Sequence, residues 1–478
     1  MSIRHYWRRI LIPTAFLYVV LVPSVASAQE GVRMGPPPEI RALVDAVIKA
    51  LNSGPDAWDA LAQERFAPAL LKQRPPAERR KQYEKLRADL GTITFDRATR
   101  QGPDAPLELH VKGSTGASGV VSLGIDTGNP PKISEFSVDV KGKDKEPPAG
   151  NSFRPPIHGR MTADELNAAL DAFLSRLAAA DAFSGVVLVA KHGQPVFHKA
   201  YGFADRSNGI PNTLQTRFNL GSINKTFTQI AIGQLIAAGK LSPSDTLGKV
   251  LPEYPQVESR AATIEQLLSH RGGIADFFGP AFSQAPKDRF RSNADYVRHV
   301  SSLAPLFAPG ARSQYCNGCY IVLGAVIERV AGMPYERYVA EHIFKIADMT
   351  STGYPHVDAI EPAVATGYTR RGGDGVLRSN VYMHGASGSA AGGGYSTARD
   401  LLAFVNARRT GRIGPKQNDF GIAGGAPGIS AIVEGDDVWT VIVLANLDPP
   451  AGEQIGVAIM SALNAADIRT YEDRRHRR

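Results

Sequence analysis

In the stretch FNLGSINKTFTQIAIGQLIAAGKL, residues 218–241, a serine and a lysine stand three positions apart where an apolar run begins. Ile223, Phe227, Ile230, Ala231, Leu235 and Ile236 recur at helical spacing and Gly239 closes the run. The segment therefore reads as a buried helix that opens at Ser222. Serine at a helix start is ordinarily a cap. With Lys225 one turn further along, however, the two side chains share a face and can reach hydrogen-bond distance. A serine hydroxyl attacks poorly at neutral pH unless a base takes its proton, and a lysine serves once burial lowers its pKa. Taken alone, the pair fits either an ordinary helix start or a nucleophile with its own base.

A second stretch, YCNGCYIVLGAVIERVAG at 315–332, sets Tyr315 and Asn317 at the head of a helix whose apolar faces carry Tyr320, Leu323, Ile327 and Val330. A tyrosine can relay a proton or support a lysine base, and an asparagine amide can bind a carbonyl. The plain reading of the same residues is an Asn cap beside a core tyrosine. Cys316 and Cys319 are the only cysteines. Three positions apart at a helix start, they are close enough for a disulfide in an oxidising compartment. Reduced packing thiols and redox chemistry are the other readings, and two cysteines alone do not make a zinc site.

Together these residues resemble the serine beta-lactamase and penicillin-binding protein superfamily, in particular its branch of esterases, D-amino-acid peptidases and class C-like hydrolases. The signature S-x-x-K belongs to that superfamily. Five stretches occur in the matching order, FNLGSINK, TIEQLLSHRGGIADF, YCNGCYIVLG, SAAGGGYSTARDLLAF and GGAPGIS, within about 165–465. The resemblance implies an α+β fold of beta-lactamase/transpeptidase type: an antiparallel sheet flanked by helices in three layers, plus a mostly helical subdomain. It implies Ser222 as acylated nucleophile, Lys225 as proton acceptor, Tyr315 as partner in proton transfer and Asn317 as a contact to the substrate carbonyl. The backbone N–H groups of Ser222 and Gly425 would form the oxyanion hole, with Gly424 and Gly425 letting the backbone approach a substrate closely. The implied partner is a small-molecule or peptide substrate, with no metal or organic cofactor.

One position departs from the pattern. The family has Lys or His at the start of its third motif, where this chain has Ile422 in NDFGIAGGAPGIS. Isoleucine cannot hold a substrate carboxylate or tune the charge on Lys225. A site for a β-lactam or a D-Ala-D-Ala terminus is thereby disfavoured. A catalytically silent protein that binds cell-wall peptides becomes the alternative.

Other conspicuous residues read as structural. The resemblance makes His270 of LSHRGG a structural residue. GSAAGGGYSTARD lacks the strand and spacing of a phosphate loop, and Thr397 to Asp400 reads as a capping box. His192 and His198 read as surface residues of a hairpin, and Asp245 as a turn or cap.

Around these motifs the chain organises itself by period. Residues 1–28 carry Arg4, Arg8 and Arg9, an apolar run from Ile10 to Val22 and Ala26-Ser27-Ala28, which reads as a cleaved secretory signal. Residues 31–140 read as a small α+β module. Ile40, Leu43, Val44, Val47, Ile48 and Leu51 mark its first helix, more helical sequence runs to about Leu90, and alternation around Leu109, Val121 and Val138 marks strands. This element order is similar to that of nuclear transport factor-like or cystatin-like modules. Residues 141–160 read as a linker, 161–468 as the hydrolase domain and 469–478 as a basic, solvated tail. In the hydrolase domain Thr162 and Glu165 open a helix as a capping box, a hairpin turns at His192-Gly193, and a late hairpin and closing helix follow, so that both ends meet in one antiparallel sheet. The net charge of +8 belongs mostly to the two ends, leaving the folded part near +2, too little for a nucleic-acid surface.

Overall fold

The computed structural model describes residues 38–99, 107–126, 130–141, 154–159, 161–359, 363–371 and 375–466. The expected signal and basic tail, and most of the expected linker, lie outside them. The described residues divide into two compact units, one within 13–147 and one within 148–478.

In the first unit, helices α1 (Pro38–Ser53), α2 (Pro55–Arg65), α3 (Pro68–Gln73) and α4 (Pro76–Leu90) precede a four-stranded antiparallel meander. Its strands are β1 (Ile93–Thr99), β2 (Leu107–Gly113), β3 (Ser118–Ile125) and β4 (Ile133–Lys141). Four prolines open the four helices, where their fixed φ suits the first turn and the missing N–H costs nothing. Leu43, Val47 and Leu51 of α1 bury together with Leu109, Val121 and Phe136 of the sheet. Trp58 packs on Phe136 with ring centres 4.8 Å apart.

The second unit is built on a five-stranded antiparallel sheet. Its strands are β5 (Gly185–Lys191), β6 (Gln194–Tyr201), β7 (Phe420–Ala426), β8 (Ile429–Gly435) and β9 (Trp439–Ala445), in the order β7-β8-β9-β5-β6. Segments some 250 residues apart in sequence thus pair directly, Val441 opposite Val189 and Val443 opposite Val187. The unbroken apolar runs of β5 and β9 follow from burial on both faces. Val187, Val189, Val441 and Val443 pack with α5 (Ala163–Ala179) and the closing helix Ala451–Ala465. Val186, Leu188, Ile442 and Leu444 point the other way, into the core of the helical part. That makes the three layers of an α+β beta-lactamase/transpeptidase-like fold. At the β5–β6 turn both His192 and Gly193 have positive φ, 48° and 76°, as a two-residue hairpin of this hand requires.

Three local expectations are corrected. At Thr397 the capping box closes on one side only: Thr397 Oγ1 accepts from the Asp400 amide at 3.1 Å, but the Asp400 carboxylate turns to the Ser351 amide and Thr352 hydroxyl, each at 2.7 Å. His198 is half-buried, and burial holds its imidazole below its usual pKa. Asn317 does not cap its helix; Cys316 does, its Sγ accepting from the Cys319 amide at 3.0 Å.

What matters most for function is how strand β7 meets the turn that carries Ser222. The 3-10 turn Gly221–Ile223 leads into helix α6 (Asn224–Ala237) and lies against β7. A Cβ added at Gly424 would sit 2.0 Å from Leu220 O and 2.8 Å from Ser222 N. Gly221, with φ of 50°, has equally little room: its Cβ would lie 2.9 Å from Gly425 N. Gly424→Ala must therefore push the turn and strand apart, at a cost of about 1–3 kcal/mol. Gly279→Ala, in extended backbone with no atom within 4 Å of the added Cβ, is the matched control and should be neutral within about 0.5 kcal/mol. Urea unfolding of both variants checks the contrast.

Candidate active site

The cleft begins at the tight turn before α6. Ser222 lies half-buried in that turn, and Lys225 follows in the first turn of α6 with 6% of its surface exposed. The Lys225 Nζ has three partners: Ser222 Oγ at 3.1 Å, Asn317 Oδ1 at 2.8 Å and the carbonyl of Ala391 at 2.7 Å. It also sits over the rings of Tyr315 and Tyr320, 4.9 and 5.6 Å from their centres. On the other side of the serine, the Tyr315 hydroxyl donates to Ser222 Oγ at 2.7 Å.

Protonation follows from these surroundings. Burial lowers the Lys225 pKa to about 7, against an opposing pull from the negative charge of Asp276. A neutral amine has two N–H donors and one lone pair. The Asn317 and Ala391 oxygens can only accept, so they take the two donors and the lone pair faces the Ser222 hydroxyl. Tyr315 is pushed the opposite way: burial of its hydroxyl end raises its pKa, partly offset by the bond to Ser222. Near neutral pH the phenol keeps its proton and the amine is the available base.

The amine is held from both sides. Three side chains on one face of α6 take three consecutive carbonyls of one loop: Asn224 binds Ser389 O at 2.9 Å, Thr228 binds Ala390 O at 2.7 Å and Lys225 binds Ala391 O. Helix α7 (Asn317–Ala331) contributes Asn317 and Tyr320. Cys316 and Cys319, at its start, form a disulfide, which decides among the three readings left open by the sequence. Next to the disulfide, His270 fixes Tyr315. Its carbonyl accepts from the Gln314 amide at 3.0 Å, its Nδ1 accepts from the Cys316 amide at 3.1 Å, and its ring stacks on the phenol at 4.8 Å. Burial and the nearby lysine charge lower the His270 pKa to about 4, so the ring is a neutral acceptor. It holds φ at 60°, a costly conformation for a histidine, which these contacts maintain.

The structure thus brings Ser222, Lys225, Tyr315 and Asn317 together. Gly425 lines the cleft beside Ser222, while Gly424 packs behind it against the Leu220–Ile223 backbone. Ile422 is half-buried and packs against the core of the helical part. Asn317 is already engaged at both ends of its amide, by Lys225 and by Asp276, whose Oδ2 accepts from Nδ2 at 2.9 Å. Sequence reasoning missed Asp276 altogether. The cleft holds about 620 Å³ of empty space, part of it open to solvent, and its walls include Phe277, Phe278, Val357, His384 and Ile429 but neither lysine nor arginine. Among the described residues no group of His, Cys, Asp or Glu is arranged to hold a metal ion.

Residues 170–428 of the 478 match the family model described as Beta-lactamase, and the chain belongs to that family, a family of serine hydrolases. The chain is 30% identical over 219 residues to the Beta-lactamase of Escherichia coli (strain K12), covering 46% of this chain and 54% of that one. It is 29% identical over 290 residues to Esterase EstB of Burkholderia gladioli, covering 53% and 73% respectively. The crystal structure of a penicillin binding protein from Bacillus halodurans superposes with a TM-score of 0.53 at 28% identity, over 61% of this chain and 98% of that one. The chain spans about half the length, or less, of the first curated relatives it matches.

The disulfide has a direct chemical test. Thiol titration of the unfolded chain should find no free cysteine before reduction and two after it; two before reduction would remove the cross-link from the head of α7.

Proposed function

We propose that this chain is a serine hydrolase that forms an acyl-enzyme at Ser222 on an uncharged ester or amide. One observation carries the reading: a buried amine with a pKa near neutrality lies 3.1 Å from a cleft-lining serine hydroxyl, with a phenol 2.7 Å away on the hydroxyl's other side. The Lys225 amine takes the Ser222 proton as Oγ bonds to the carbonyl carbon, and the carbonyl π-pair moves onto oxygen. The amides of Ser222 and Gly425 are the donors for that oxyanion, worth about 3 kcal/mol each by the measure of other hydrolases. Collapse of the intermediate expels the alcohol or amine, which receives a proton from Lys225 by way of Tyr315. Water then gives its proton to the same amine, attacks the acyl carbonyl, releases the acid and restores the serine.

The walls of the cleft support the choice of substrate. Aromatic and aliphatic side chains without a cation suit an acyl or alcohol group that is apolar and uncharged. Ile422 supplies no hydrogen bond to a carboxylate, which ranks β-lactams and D-Ala-D-Ala termini lower. The same residue favours the second reading, a silent protein that binds cell-wall peptides. Export to the periplasm or the medium is supported by the signal-like residues 1–28 and by the disulfide. Among the described residues no helix is long and apolar enough to cross a membrane. Residues 161–468 are the hydrolase domain in this reading, and 31–140 an accessory module.

A fluorophosphonate probe tests the reading. It should label Ser222 in the native chain and leave Ser222→Ala unlabelled. The labelling rate should fall about tenfold per pH unit below pH 7, because the base is lost as Lys225 gains a proton. Lys225→Met should slow labelling by about 10²–10⁴-fold. A fluorescent penicillin should label more weakly than the phosphonate. No labelling by either probe would leave the silent binder as the better account.

A further inference from the structure

Asp276 sits in the loop GGIADFFG, 41 residues before Asn317 in sequence, and meets it in the active site. Its Oδ1 accepts from the Phe278 amide at 3.0 Å, which fixes the carboxylate, and its Oδ2 accepts from Asn317 Nδ2 at 2.9 Å. A carboxylate can only accept and an amide nitrogen can only donate. The Asn317 amide therefore has one orientation, with Oδ1 turned to the Lys225 Nζ at 2.8 Å. The opposite orientation would set Nδ2 against an amine already donating to Ala391 O and Oδ1 against a carboxylate.

We propose that Asp276 is the positioning residue of this site, locking the Asn317 amide so that its oxygen holds the Lys225 amine on Ser222. The proposal rests on the hydrolase reading above, in which that amine is the base. It adds to the role first expected for Asn317: with Oδ1 on lysine and one N–H on Asp276, the second N–H of Nδ2 is the donor left for a substrate carbonyl.

Asp276 also acts through its charge. The titratable groups facing the Lys225 amine are Tyr315 and Tyr320 across their rings, His270 behind Tyr315, and Asp276. Helix α6 and the loop 389–391 add none. Burial keeps both phenols protonated and the imidazole neutral near pH 7, so Asp276 supplies the one charge of opposite sign. Removing it disfavours the protonated amine and moves the lysine titration to lower pH.

Two variants of the full chain separate orientation from charge. Asp276→Asn loses the charge and keeps one acceptor oxygen, which can serve Asn317 Nδ2 at the expense of the bond from the Phe278 amide, while Asp276→Ala loses the charge and both acceptors. The Lys225 Nζ is followed by ¹⁵N NMR, its signal assigned by its loss in Lys225→Met, and Ser222 by the rate of fluorophosphonate labelling. In Asp276→Asn the Nζ midpoint should fall by about one pH unit, the acid limb of labelling should follow it, and labelling above the midpoint should stay within about threefold of the parent. In Asp276→Ala labelling should be slower by about tenfold or more at every pH, because the amide is free to turn. An unchanged midpoint in Asp276→Asn, or parental labelling in Asp276→Ala, overturns the proposal, and if the alanine variant fails to fold Asp276→Leu, of similar size and without an acceptor, takes its place with the same expected loss. Absence of labelling in the parent would instead count against the hydrolase reading, while the Nζ midpoints would still decide the part played by Asp276.

Discussion

Everything in this site depends on keeping one lysine amine out of water. A lysine in solvent stays protonated near neutral pH and offers no lone pair. Packed between α6, α7 and the loop at 389–391, Lys225 loses its hydration, and the charged form becomes the costly one. The surroundings replace water with two acceptors at 2.7 and 2.8 Å and leave the third direction to the serine. Nearby Asp276 limits how far the pKa falls, so that the amine is neither a permanent cation nor too weak a base. A base poised near the working pH is the most effective one.

Holding the amine is a task shared by parts of the fold far apart in sequence. Neighbouring positions on one turn of α6 bind three successive carbonyls, which joins the nucleophile helix to a loop some 165 residues downstream. The sheet sets the other wall. Because Gly221 and Gly424 have no Cβ, β7 runs against the serine turn closely enough for the Gly425 and Ser222 backbones to line one cleft. Packing beneath, on Leu220, Ile223 and Phe227, all fully buried, keeps that turn from drifting.

Much of this was legible before the coordinates. The apolar period of α6 and α7, the Thr162–Glu165 capping box and the two hairpins are local signals, and each element stands where its period put it. Ser222, Lys225, Tyr315 and Asn317 could be singled out because their chemistry is unusual at a helix start. Their convergence was legible only through the resemblance, since the motifs lie 93 residues apart. Strand β1 escaped because it is an edge strand with a register shift between Phe95 and Arg97, and Phe95 is 41% exposed, which breaks the alternation. Asp276 escaped for a different reason, and so did the particular hold that His270, read as structural, has on Tyr315. Each is one polar residue in a loop, and what it does depends on a partner about 40 residues on that only the fold brings near. Asp400 shows the reverse case, a local capping signal outbid by two tertiary donors at 2.7 Å.

The central claim is that Lys225 is uncharged and accepts a hydrogen bond from Ser222. Neutron diffraction from crystals held about one pH unit above the lysine midpoint would observe this directly. The account predicts two deuterons on Nζ, directed at Asn317 Oδ1 and Ala391 O, and one on Ser222 Oγ directed at Nζ. Three deuterons on Nζ, with one pointing at the serine oxygen, would contradict it.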